Sequence, residues 1–148
     1  MMRELLELQT GQVAFISGLM SGFSLSVAAH VLRYGVRSKM AQCVFLLFLI
    51  SSLLFLVALY IDVRLSIELA GFDTLPNELI DQLVSIRNLG TSCASAALFI
   101  FVLGSGLLGW LATPTVGMIS TLIVAGIVYT FWFVWTNINT LSLALETM

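Results

Sequence analysis

The side chains that could do chemistry are few and lie far apart along the 148 residues. The chain has one histidine, His30, and two cysteines, Cys43 and Cys93. Zinc and haem sites need several such ligands. There is also no CxxC motif, no glycine-rich phosphate loop and no pair of carboxylates within an apolar stretch. The sequence therefore predicts no catalytic residue, no metal site and no cofactor, and we expect that the chain is not an enzyme.

Charged residues are rare, and their distribution indicates the architecture. They make up 9% of the chain, against roughly 25% in soluble domains, while 59% is hydrophobic. Three long stretches, Leu8 to Leu32, Met40 to Ile61 and Asn88 to Leu145, contain no Asp, Glu, Lys or Arg. The net charge of -2, with no basic cluster, excludes a nucleic-acid-binding surface. We expect an integral protein of the cell (inner) membrane, whose first partner is the lipid bilayer.

Four segments are long enough to cross that bilayer. A helix needs about 20 apolar residues to span a hydrocarbon core of about 30 Å. The predicted spans are 12–32, 40–61, 90–112 and 116–138. Thr113-Pro114-Thr115 separates the last two, because proline disfavours helix just before it. The predicted fold class is all-α, a four-helix transmembrane bundle forming a single domain over 1–148.

The sizeable polar region, 62–89, is predicted to be a helical hairpin outside the membrane. Gly71 to Thr74 interrupts the helical spacing, and Asp73 or Thr74 can cap a new helix with Pro76 near its first turn. Helices 2 and 3 are therefore expected to extend beyond the membrane. An apolar stripe on the hairpin would need a partner, and its candidate docking residues are Leu79, Ile80, Leu83 and Val84.

Charged residues at the base of this hairpin form a second candidate site, made up of Asp62, Arg64, Glu68 and Arg87. Arg64 and Glu68 are four residues apart and so share a helix face. The set is interpreted either as interfacial salt bridges or as a charged vestibule that concentrates ions. The sequence does not decide between the two.

The first span is the least lipid-like of the four. Small or polar residues recur every four positions from Ala14 to His30, and three serines flank them. Small residues allow close helix contact, and serines can bond across an interface or hydrate a pore wall. A packed central helix and a pore lining both remain open, with candidate residues Gly18, Ser21, Gly22, Ser26 and His30. The histidine is either a hydrogen-bonded boundary residue or a gating or proton-relay group.

Orientation is weakly indicated by the basic residues. Arg33, Arg37 and Lys39 lie in the first turn, which the positive-inside rule places in the cytoplasm with both termini outside. Arg3, Arg64 and Arg87 fall on the other side, which makes three basic residues on each side, so the topology stays open.

The stretch Ser17-Gly18-Leu19-Met20-Ser21-Gly22-Phe23, followed by His30, resembles the small-residue SxLxSGF stretch of the Orai calcium channels and the selectivity acid that follows it. That family has four spans, a pore-lining first helix and extended second and third helices. The resemblance covers one span well and the Leu107 to Trp110 end of the third loosely. His30 stands where the family has an acid, and Glu4 and Glu7 replace its basic residues, so calcium selectivity is not implied. The resemblance implies symmetric copies of helix 1 around an axis.

Two functional hypotheses follow from these patterns. In the first, the chain is a homo-oligomeric pore or channel-like membrane protein with helix 1 at its axis. In the second, it is a membrane anchor or scaffold that docks a partner protein through the 63–87 hairpin, as in a prokaryotic stress or defence system.

Overall fold

The computed structural model contains four α-helices: α1 (Met2–Tyr34), α2 (Lys39–Ala70), α3 (Asn77–Ala112) and α4 (Pro114–Glu146). It describes the backbone of 2–36, 38–70 and 77–146, and the side chains of 11–33, 35–36, 38–67 and 83–137. Within that part of the chain there is no strand, so the predicted all-α fold class is confirmed. Each helix contains a segment long and apolar enough to cross a membrane, and these candidate spans are Gly11–Arg33, Lys39–Ile67, Leu83–Ala112 and Pro114–Asn137.

All four candidate spans are longer than the sequence predicted, and the second and third differ most. The second continues past Ile61 to Ile67, and the third begins at Leu83, before the expected start at residue 90. Apolar Val63 and Leu65 alternate with the charged residues here, so a few charges do not end the apolar segment. Asp62 and Arg87 consequently fall inside candidate spans.

Short turns connect α1 to α2 and α3 to α4. After α1 ends, Gly35 adopts a φ of +92°, a left-handed conformation that glycine tolerates and that commonly terminates helices. The Ala41 amide donates a 3.0 Å hydrogen bond to Ser38 Oγ, which caps the start of α2. Between α3 and α4 only Thr113 is non-helical, and Pro114 occupies the first helical position of α4. The predicted short reversal at Thr113 is therefore present.

The chain divides into two compact units, Met1–Phe101 and Val102–Met148. In the first unit, α1 packs against α2: Gly18 lies beside Leu59, and Ser21 lies beside Ser52. These pairs run in opposite directions along the two helices, which are therefore antiparallel. Phe101 of α3 meets the buried Phe48 ring edge-on at 5.4 Å between centroids.

The second unit is a helical hairpin made by the end of α3 and by α4. Its contacts involve glycines: a Cβ added at Gly106 would lie 3.1 Å from Val124 Cγ2, and one at Gly109 would overlap Ser120 Oγ. Ser120 donates a 2.8 Å hydrogen bond to the Gly106 carbonyl. Glycine permits this close approach because it has no side chain to separate the two backbones.

Candidate functional site

Helix α1 has one face that is buried in the first unit and another that is exposed. The buried face carries Ser17, Ser21, Ser24 and Ala28, each at most 4% exposed. Gly22, Ser26 and His30 are exposed. Ser24 and Ser26 are two positions apart, which is about 200° around a helix, so the two faces lie on nearly opposite sides.

The buried face is joined to α2 by a reciprocal pair of serines. Ser21 Oγ lies 3.2 Å from Ser52 Oγ. Each hydroxyl also lies 3.1 Å from the other residue's backbone carbonyl, to which it can donate. Both residues are buried, so the pair satisfies polar groups that lipid could not. Ser21 was among the residues predicted from the sequence but Ser52 was not, because serines in a leucine-rich span have no distinguishing spacing.

A third serine connects α2 to α3. Ser51 is fully buried and donates a 2.9 Å hydrogen bond to the Ala97 carbonyl. Ser24 is also fully buried, and its Oγ has no hydrogen-bond partner among the described residues. Small hydroxyl side chains thus join α1 to α2 and α2 to α3 in the first unit, alongside buried apolar side chains such as Phe48.

The five predicted residues of α1 are therefore not brought together. Ser21 is buried against α2, and Gly18 is half-buried with a Cβ position 3.7 Å from Leu59. Gly22 has open space where a Cβ would be, and Ser26 and His30 are exposed in the single chain. An exposed hydroxyl and imidazole within a membrane span can hydrogen-bond to water or to another protein surface, but not to lipid tails.

The predicted charged set is only partly described. Asp62 is 3% exposed and faces α3, where a Cβ at Gly90 would lie 3.7 Å from its Oδ1. Arg87, one turn before Gly90, is close enough for its charge to act on the Asp62 carboxyl. Arg64 is exposed, and the Glu68 side chain lies outside the described residues.

The structure describes only two of the four residues of the predicted docking stripe, and these two differ in exposure. The Leu79 and Ile80 side chains lie outside the described residues, Leu83 is half-buried and Val84 is 50% exposed. Because Leu83 and Val84 belong to the third candidate span, lipid contact accounts for their exposure as well as a partner protein would.

The described side chains contain no cluster of three or more His, Cys, Asp or Glu that could hold a metal ion. Both cysteines are free thiols, with Cys43 exposed and Cys93 half-buried.

Comparisons with protein-family models, with curated proteins and with solved structures found no match to the chain.

Proposed function

We propose that the protein is a homo-oligomeric membrane pore, in which the exposed face of α1 from Gly22 to His30 lines a water-filled axis. The observation that carries this proposal is the position of Gly22, Ser26 and His30 on the exposed side of a helix whose opposite side is already buried. Gly22 has nothing within 4 Å of the position where a Cβ would be, so there is open space beside this face in the single chain.

Lipid is a poor surrounding for that exposed face. A hydroxyl or an imidazole facing hydrocarbon forms no hydrogen bond with it, which costs free energy. Contact with further copies of the chain around an axis removes the face from lipid and supplies water or polar neighbours. The resemblance to the Orai channels, limited mainly to this span, supports the same arrangement.

Such an axis would carry a ring of histidines near its basic end. Each copy contributes one His30, three residues before Arg33. The residues favour no particular ion.

The test is conductance of purified protein in planar bilayers. The wild-type protein is expected to give discrete current steps, and Gly22→Leu is expected to reduce their size severalfold because leucine would narrow the axis. Gly126→Leu is the matched control, since Gly126 of α4 is also exposed with open space at its Cβ position. Protein that stays monomeric in nanodiscs and passes no ions contradicts the proposal.

Docking of a partner protein through the 63–87 hairpin is the alternative. Its support is the exposed Val84 on the predicted stripe. Pull-down with the full-length protein, compared with Leu83→Asp, separates the two functions. A specific partner lost in that variant, together with an absence of conductance in the wild type, favours the scaffold.

A further inference from the structure

The Asp62 carboxyl is a buried acidic group that the proposed pore does not use. It lies in the second candidate span, between α2 and α3, and is 3% exposed. Its Oδ2 is buried and accepts no hydrogen bond from any described residue. An ionised carboxylate needs hydrogen bonds or a close countercharge when it is removed from water, and otherwise it neutralises itself by binding a proton.

The nearest hydroxyl groups along the two helices do not supply those bonds. Ser66, one turn after Asp62, donates to the Asp62 backbone carbonyl at 2.9 Å rather than to its side chain. Thr91, one turn after Arg87, donates to the Arg87 backbone carbonyl at 3.1 Å. Both hydroxyls are thus engaged with their own helices.

Among the described residues, the charged group that acts on Asp62 belongs to α3. Arg87 acts on the carboxyl through its charge. On α2 itself, Arg64 is 200° further around the helix and exposed. The Glu68 side chain lies outside the described residues. Gly18 of α1 lies beside Leu59 of the antiparallel α2, so the part of α1 nearest to Asp62 is the segment around Ala14. That segment, Gly11 to Phe15, contains no titratable residue.

We propose that Asp62 is an intramembrane proton-binding site, with the proton carried on Oδ2. Uptake forms an O–H bond and removes the negative charge facing Arg87, and release returns the proton to water and restores the charge pair. A positive Arg87 beside the carboxyl opposes binding of a metal cation there.

Infrared spectroscopy of the full-length protein in liposomes tests this directly, because a protonated carboxyl has its own C=O stretching band. We expect such a band at neutral pH that disappears as pH rises, is missing in Asp62→Asn and remains in Asp73→Asn. Arg87→Gln should move the midpoint of the titration upward by about one pH unit, since a positive charge favours the ionised form.

Isotope labelling identifies the residue that carries the band in the wild-type protein, so the test remains valid even if a variant misfolds. Wild-type protein with ¹³C-labelled aspartate should show the band at lower frequency, whereas labelled glutamate should leave it unchanged. A labelled wild type with no titrating aspartic-acid band between about pH 5 and about pH 9 overturns the proposal. A band that responds to added Na⁺ at constant pH also overturns it, in favour of a metal cation. The readout requires no conductance, so the pore proposal can fail independently.

Discussion

Neighbouring helices are held together by different kinds of residue in the two units of the chain. In the first, hydroxyl groups of Ser21, Ser51 and Ser52 join neighbouring helices. In the second, Gly106 and Gly109 allow α3 and α4 to approach until a serine on one helix reaches a carbonyl on the other. Lipid is as apolar as leucine, so helix association depends on close contact and hydrogen bonds rather than on removing apolar surface from water.

The serine contacts and the glycine contacts should differ in how well they tolerate substitution. A serine pair can lose a hydroxyl and still leave the two helices in contact, whereas a glycine contact has no space for even a methyl group. Burial is also unequal, since 33% of the α2 span but only 6% of the α4 span is buried. The second unit therefore depends on fewer contacts, and each of them should matter more.

The largest expected effect is at Gly109. In Gly109→Ala the new methyl would lie 2.8 Å from Ser120 Cβ and 3.1 Å from the Val116 carbonyl, so the backbones must separate. We expect a loss of about 2 kcal/mol in the free energy of unfolding, measured by denaturation in mixed micelles. Gly126→Ala, which has open space, should remain within about 0.5 kcal/mol of wild type. Equal losses in both variants would show that the glycine contact does not determine the hairpin.

A smaller effect is expected at the serine pair of the first unit. Ser52→Ala removes one hydroxyl that bonds to Ser21 and should cost about 1 kcal/mol, in the range measured for hydrogen bonds between membrane helices. A double-mutant cycle with Ser21→Ala should give a coupling energy clearly above zero. Ser26→Ala, on the exposed face, is the control and should have no effect on unfolding. Additive single losses would mean that the two hydroxyls do not interact.

The smallest expected effect is at the turn before α4. Thr113 Oγ1 accepts a 3.3 Å hydrogen bond from the Val116 amide in an exposed position. Thr113→Ala should cost about 0.5 kcal/mol, because water can replace much of this cap. Thr115→Ala, two residues further on, is the comparison and should cost less when both are measured by the same denaturation.

The sequence was sufficient for the helices but not for their faces. Charge-free stretches located all four spans, and the Thr113-Pro114 pair located the last reversal. The buried face of α1 could not be chosen in advance, since Ser17, Ser21 and Ser24 compete with an equally small face containing Gly22 and Ser26. Apolarity does not distinguish an interior from a lipid surface in a membrane protein.

Asp62 illustrates the same limit for a charged residue. Its position suggested the membrane boundary, whereas its burial against Gly90 depends on the register between α2 and α3. That register is set by contacts such as Ser51 with the Ala97 carbonyl, between residues 46 positions apart, which no local pattern encodes.

Thiol modification during current recording tests most directly whether the exposed face of α1 lines a pore. In a background with Cys43→Ala and Cys93→Ala, Ser26→Cys should be blocked by a water-soluble, membrane-impermeant thiol reagent. Leu25→Cys, at nearly the same depth but about 100° around the helix, should be unaffected. Block of Ser26→Cys alone is the predicted result. Current that persists unchanged in Ser26→Cys, or equal block of both variants, would contradict a pore lined by this face.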